Sequence, residues 1–186
     1  MSVFWNVRSK LSAWANTRLG WRLTLHSPDR QWLETWVIRN CEYKRTLSIG
    51  TSWYTMVLPE LVECGWVTVD VTKRAERLAS TSDKHYTIDL SLKGTHLGHT
   101  ECYDNVIVNG VLGRWGVRGP EAAVIMLTKL CRYLKPGGNL LIGINDSPDG
   151  IDFDLESTLP TYMTKLHKTL ANYDNNHTYI QYCKPL

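Results

Sequence analysis

The run Tyr103-Asp-Asn-Val-Ile-Val-Asn109 is followed 25 residues on by Leu134-Lys-Pro-Gly-Gly-Asn-Leu-Leu-Ile-Gly-Ile144, and this pair constrains the fold most. It reads as a buried strand, a loop, a helix, a tight Gly-Gly turn and a second buried strand. Near-continuous aliphatics mean that a strand is covered on both faces, which points to a parallel sheet with helices on each side. In open sheets of this kind, ligands collect outside the carboxyl ends of the strands. Chemistry is therefore sought at the residues that end each strand.

The same alternation runs through the chain from residue 45 on. Strands are expected at 46–50, 66–70, 85–89, 104–108, 139–144 and 178–182. Helices are expected at 54–64 (with Pro59 as a flaw that kinks or shortens it), 73–79, 120–134 and 158–172. The segment 91–102 reads as a polar loop. This pattern predicts a doubly wound, mostly parallel α/β sheet of Rossmann-like type. Spacing does not fix the direction of the last strand.

The first 44 residues read as a Trp-rich, basic, helical extension, and 45–186 as the α/β domain. Five of the eight tryptophans (Trp5, Trp14, Trp21, Trp32 and Trp36) fall in this extension. Val3, Val7, Leu11 and Trp14 follow helical spacing. Ser27-Pro28-Asp29 resembles a helix start, after which Trp32, Trp36 and Val37 share a face while Arg30 and Glu34 lie elsewhere. Residues 1–45 carry eight Lys and Arg against Asp29, Glu34 and Glu42, a surplus of +5, so the remainder carries −2 of the net +3. Three roles stay open for residues 1–40: packing on the sheet or over the cleft, a peripheral membrane contact, or docking of a partner protein or nucleic acid. The net charge gives no strong nucleic-acid signal. Five widely spaced cysteines without a CxxC pair suggest reduced thiols. With no spanning apolar run and no signal-peptide pattern, a cytoplasmic and at most membrane-peripheral protein is expected.

Gly50 ends the first strand and Asp70 ends the second, twenty residues later. A glycine there lets a ligand approach the backbone, and an acid at that spacing accepts hydrogen bonds from two ribose hydroxyls. Asp89, ending the third strand, is placed to meet an adenine amino group. The competing explanation is that Gly and Asp at strand ends simply make turns.

These residues resemble those of class I S-adenosylmethionine-dependent methyltransferases. Leu47-Ser-Ile-Gly50 is similar to the family's glycine-ending first strand, Val67-Thr-Val-Asp70 to its acidic second strand, and Ile88-Asp89 to its adenine-contacting position. The runs 103–109 and 134–138 resemble its fourth-strand motif and the turn before its fifth strand. The resemblance covers about 100 of the 186 residues. Ile49-Gly50 with Trp53-Tyr54, and Leu112-Gly-Arg-Trp-Gly116, are also similar to segments of an uncharacterised methyltransferase-like subfamily.

The resemblance implies S-adenosylmethionine as cofactor, held by Gly50, Ser52, Trp53, Asp70, Val71, Asp89, Leu90 and Asn109. It implies methyl transfer by in-line displacement, which requires alignment and exclusion of water more than a strong base. Asn109, Arg114 and Asp146 are the candidate catalytic residues. Asn109-Gly-Val-Leu replaces Asn-Pro-Pro-Tyr, so a hydroxyl on a small molecule, sugar or glycan is expected by elimination. The pattern also departs from the family. Ser48 replaces an acid, Ser52 and Tyr54 replace glycines, and Gly113-Arg114 stands where a histidine is common. A catalytically inactive domain acting as a binding or scaffold subunit is the alternative. The absence of Gly-x-Gly-x-x-Gly disfavours a nicotinamide-dependent dehydrogenase. His96, His99 and Cys102 have ligand-like spacing without an evident fourth ligand, so no metal is expected.

Overall fold

The computed structural model describes residues 28–50, 58–73, 82–113, 116–145, 150–171 and 177–186. Its seven strands are β1 (Arg45–Ile49), β2 (Gly65–Asp70), β3 (Lys84–Thr87), β4 (Tyr103–Asn109), β5 (Leu134–Asn145), β6 (Thr164–Ala171) and β7 (His177–Cys183). They form one sheet in the order β3-β2-β1-β4-β5-β7-β6. The first five strands are parallel, and β7 is antiparallel to both β5 and β6. The chain thus has the mostly parallel, Rossmann-like sheet that its aliphatic runs predict.

Strand residues alternate between two faces, and each face is covered. Leu47, Val67, Val106, Val108, Leu140 and Ile142 pack with Met126, Leu127 and Leu130 of helix α2 (Pro120–Tyr133). Trp66, Ile107, Leu141 and Tyr179 pack with Leu33, Trp36 and Val37 of helix α1 (Pro28–Asn40). Pro120 suits the first turn of α2 because its missing N–H would lack an intrahelical partner there anyway. The helix stops where Leu134 turns extended and enters β5.

A ring of hydrogen bonds fixes α1 to the sheet. Trp36 Nε1 donates to Gln181 Oε1 at 3.0 Å, and Gln181 Nε2 donates to Asn139 Oδ1 at 2.9 Å. Asn139 Nδ2 donates to Asn105 Oδ1 at 3.2 Å, and Asn105 Nδ2 donates to the Asn40 carbonyl at 2.9 Å. Asn40 Nδ2 closes the ring on the Trp36 carbonyl at 2.8 Å. The ring joins β4, β5 and β7 to α1, and every link donates in the same sense. Such chains polarise one another, and each link satisfies a polar group that would be costly to bury alone. Asn40 lies near the start of β4, whereas Trp32 stacks on Tyr179 at 4.6 Å, beside the far end of β5. The start of α1 therefore lies toward the carboxyl ends of the parallel strands.

Four expectations need correction. The segment 158–172 is not a helix: Thr164–Ala171 is β6, an edge strand paired with β7. Its alternation is broken by a register shift between Lys165 and His167, which hides the period of two, and sheet pairing outweighs the helix propensity of its Leu and Lys. Within 54–64, the described part holds only a single 3-10 turn, Leu58–Leu61; Pro59 cannot supply the N–H a longer helix needs. The fifth strand starts at Leu134, not at residue 139. The Lys-Pro-Gly-Gly turn is an excursion within it, where Gly137 N–H donates to Lys184 and Lys184 N–H donates to Gly138. Glu34 does not sit outside the packed face of α1 but is buried, 4% exposed. Leu33, Glu34, Trp36 and Val37 span an arc of roughly 160° at 3.6 residues per turn, and Glu34 occupies its margin. The proposed helices over residues 3–14 and 73–79 fall wholly or largely outside the described residues, as does Ser27.

All five cysteines are free thiols. Among the described residues, no helix is long and apolar enough to cross a membrane.

Candidate functional site

A cavity of about 520 Å³ opens at the carboxyl ends of β1–β4, within the roughly 300–1,000 Å³ typical of small-molecule sites. It lies where neighbouring strands β1 and β4 lead in opposite directions across the sheet, the switch point at which open α/β sheets bind ligands. Ile49 ends β1 and Gly50 follows it, Asp70 ends β2 and Val71 and Thr72 follow it, and Ile88, Asp89, Leu90 and Ser91 come from the turn after β3. Asn109 to Val111 and Gly116 to Arg118 close one side, and Ala122 and Met126 of α2 close another. Six predicted residues (Gly50, Asp70, Val71, Asp89, Leu90 and Asn109) thus line one cavity. Ser52, Trp53, Arg114 and Asp146 lie outside the described residues.

The two aspartates share one local geometry. Asp70 Oδ1 accepts from Thr72 N–H and Thr72 Oγ1, both at 2.9 Å. Asp89 Oδ1 accepts from Ser91 N–H at 2.9 Å and from Ser91 Oγ at 2.6 Å. β2 ends at Asp70 as expected, whereas β3 stops at Thr87 and Asp89 lies two residues beyond it; both aspartates open an Asp-x-Thr/Ser turn, so the turn-making explanation is correct as far as it goes. Those bonds engage one carboxylate oxygen each and set how the carboxylate faces the cavity.

Lys129 of α2 holds the turn after Asp89 in place. Its ammonium donates to the carbonyls of Leu90 at 2.8 Å and Leu92 at 2.6 Å, and to Thr95 Oγ1 at 3.3 Å. Thr95 Oγ1 in turn donates to the Asp89 carbonyl at 2.5 Å. Burial lowers the Lys129 pKa, and the charge of Asp89 opposes that shift. Sequence reasoning missed Lys129 because its partners are backbone atoms 37 and 39 residues away. Thr72 and Ser91 were missed as well, although the repeated Asp-x-Thr/Ser spacing at 70–72 and 89–91 is a signal that could have found them.

Asn109 enters the cavity wall through the end of β4, but its side chain leans toward β5. A β-carbon at Gly143 would overlap Asn109 Oδ1 and would stand 2.8 Å from the Tyr179 ring. Gly143 is thus the glycine that makes room for Asn109. This puts the amide on the α1 side of the sheet, whereas Met126, Ile49 and Leu90 belong to the α2 side.

His96, His99 and Cys102 do not converge. His99 Nδ1 pairs with Tyr103 OH at 2.8 Å and its Nε2 with Tyr86 OH at 3.5 Å. His96 Nδ1 accepts from Gly98 N–H, and the Cys102 thiol donates to the Thr100 carbonyl. Among the described residues, no group of three His, Cys, Asp or Glu side chains is placed to hold a metal ion.

No family model matches this chain, and no curated protein matches it in sequence. Solved structures match its fold. An N-methyltransferase, NodS from Bradyrhizobium japonicum WM9, in complex with S-adenosyl-L-homocysteine, aligns with a TM-score of 0.68 at 16% identity, over 98% of this chain and 99% of that one. The 1,6-didemethyltoxoflavin-N1-methyltransferase of Burkholderia thailandensis, with bound 1,6-didemethyltoxoflavin and S-adenosylhomocysteine, aligns with a TM-score of 0.65 at 12% identity, over 100% and 92%. The [4+2]-cyclase SpnF aligns with a TM-score of 0.61 at 13% identity, over 83% and 81%. At these identities the likeness establishes a fold shared with methyltransferases.

Proposed function

We propose that the chain binds S-adenosylmethionine in the cavity at the strand ends and transfers its methyl group to a small-molecule acceptor. The observation that carries this reading is the convergence of Asp70, at the end of β2, and Asp89, just beyond β3, on one cavity that also reaches Gly50. The residues present suit the cofactor. Asp70 offers a carboxylate to vicinal ribose hydroxyls, and Asp89 accepts from an exocyclic amine. Ile88, Leu90 and Met126 supply an apolar wall for a flat ring. Bound there, the cofactor would supply an electrophilic sulfonium methyl; the chain's own residues bind, orient and exclude water. The two fold neighbours crystallised with S-adenosylhomocysteine support the ligand class. The small heterocycle held by the Burkholderia enzyme supports a small acceptor over a macromolecule. A hydroxyl-bearing or glycan acceptor remains part of the proposal on the sequence argument alone, as do catalytic roles for Asn109, Arg114 and Asp146. So does the narrower subfamily likeness carried by Trp53-Tyr54 and Gly113 to Gly116.

Isothermal titration of the folded full chain with S-adenosylmethionine and S-adenosylhomocysteine tests the reading. Saturable heat at micromolar ligand, lost in Asp70→Ala, is the expected result. No heat at high micromolar concentration would reject it. Methyl transfer from labelled cofactor to a panel of small hydroxylated and heterocyclic acceptors then separates an enzyme from an adenosyl-binding scaffold.

A further inference from the structure

Among the described residues that line the cavity there is one cation, Arg118, against the carboxylates of Asp70 and Asp89. Its backbone is held on both sides. Val117 N–H donates to the Val111 carbonyl at 2.7 Å, and the Gly119 carbonyl accepts from Ala123 N–H at 3.3 Å in the first turn of α2. Gly119 has φ of 78°, a region that other residues rarely enter, and there the chain turns from Arg118 into the helix. Arg118 is exposed and Ala122 half-buried, whereas Met126 is buried. Burial deepens in this order because α2 leads from the carboxyl end of β4 back to the start of β5, so its first turn lies at the opening.

Ala122 and Met126, one helical turn apart, line the cavity together. Lys129, farther along α2, donates to the carbonyls of Leu90 and Leu92 and so fixes this side of the helix against the turn after β3. Leu90 and Met126 are buried in one apolar cluster and make the floor of a slot. Ile88 and Asp89 bound the slot on one side and Ala122 on the other. Ala122 stands about 6 Å nearer the opening than Met126, and Arg118, which precedes the helix, lies at the rim. A flat ring laid beside Asp89 would rest on apolar carbons below and meet a cation at the mouth.

Resting on the adenosyl reading above, we propose that Arg118 is a specificity-determining residue whose guanidinium covers the outward face of the nucleobase. A guanidinium is planar and stacks on aromatic faces, and it is more weakly hydrated than an ammonium, so it covers a ring at little cost in hydration. Asp89 reads the edge of the base through its exocyclic amine, and Arg118 reads the electron density of its face. The pair selects an electron-rich aminopurine. The cation also offsets part of the negative charge that Asp70 and Asp89 bring to the same cavity.

The test is isothermal titration of the full chain, as wild type, Arg118→Ala and Arg118→Lys, with adenosine, 2-fluoroadenosine and S-adenosylhomocysteine. Arg118→Ala is expected to weaken adenosine and S-adenosylhomocysteine by the same factor, about tenfold, and Arg118→Lys by about threefold. Fluorine withdraws density from the ring, so the preference of the wild type for adenosine over 2-fluoroadenosine is expected to fall about threefold in Arg118→Ala. A purely structural role would leave that preference unchanged, and this result would overturn the proposal. Weakening confined to S-adenosylhomocysteine would overturn it too, by placing Arg118 on the amino-acid tail. Unaltered affinities in both variants would overturn the contact and leave the adenosyl pocket standing. Absence of heat from every ligand in the wild type would overturn pocket and contact together.

Discussion

Lys129 and His99 show how single residues shape this molecule from outside the cavity. Lys129 ties three oxygens of the segment 90–95, so Lys129→Met is expected to loosen the turn that presents Asp89. A fall of about fivefold in S-adenosylhomocysteine affinity is predicted, with a stability loss of about 1–2 kcal/mol by urea titration; unchanged affinity would mean the turn holds itself. Burial, then the charges of Arg45 and Lys84, keep the His99 imidazole below its ordinary pKa. The unfolded chain therefore takes up this proton first, and stability is lost as pH falls below about 6.5. His99→Gln is expected to flatten the decline in urea midpoint between about pH 7.5 and about pH 5.5. An unaltered decline would assign it to other groups. Of these residue-scale features, Asp70 and Asp89 were readable because each closes a run that reads as a strand, Asp70 twenty residues after Gly50. Lys129 was not, because nothing near it in the chain marks the distant carbonyls it meets.

At the scale of elements, α1 is held by directional bonds as well as by apolar contact. Asn139→Ala would remove the central link of the five-bond ring and leave Asn105 Oδ1 and Gln181 Nε2 without the partners described here. A loss of about 2–4 kcal/mol in urea unfolding is predicted, since each stranded group costs about 1–3 kcal/mol. A change under about 0.5 kcal/mol would show that packing alone seats the helix. The parallel strands were legible because aliphatic runs bounded by Gly and Asp have few alternative readings. β6 was not, because its register shift breaks the alternation and its Lys and Leu suit a helix equally well. The excursion at Lys135–Gly138 was read correctly as a turn but placed before the strand. Its closure depends on Lys184, near the other end of the chain. That excursion also carries an ion pair: Lys135 Nζ lies 2.8 Å from Asp104 Oδ1, and Arg45 N–H donates to Asp104 Oδ2 at 2.9 Å. Burial alone would raise the Asp104 pKa, but these bonds and the Lys135 and Lys44 charges hold it below the ordinary value.

At the scale of the whole molecule, the sheet order places Gly50, Asp70, Asp89 and Asn109 at one end. The start of α1 points toward that same end. A shared fold does not choose a reaction, since one of the aligned structures is a cyclase and two are methyltransferases. The site must decide, and its central claim concerns where an adenosyl group sits. A crystal of the full chain soaked with S-adenosylhomocysteine tests that claim most directly. The account predicts density for the ribose hydroxyls on the Asp70 carboxylate and for the adenine amine beside Asp89. Density for the ligand elsewhere, or an empty cavity at saturating ligand, would contradict it.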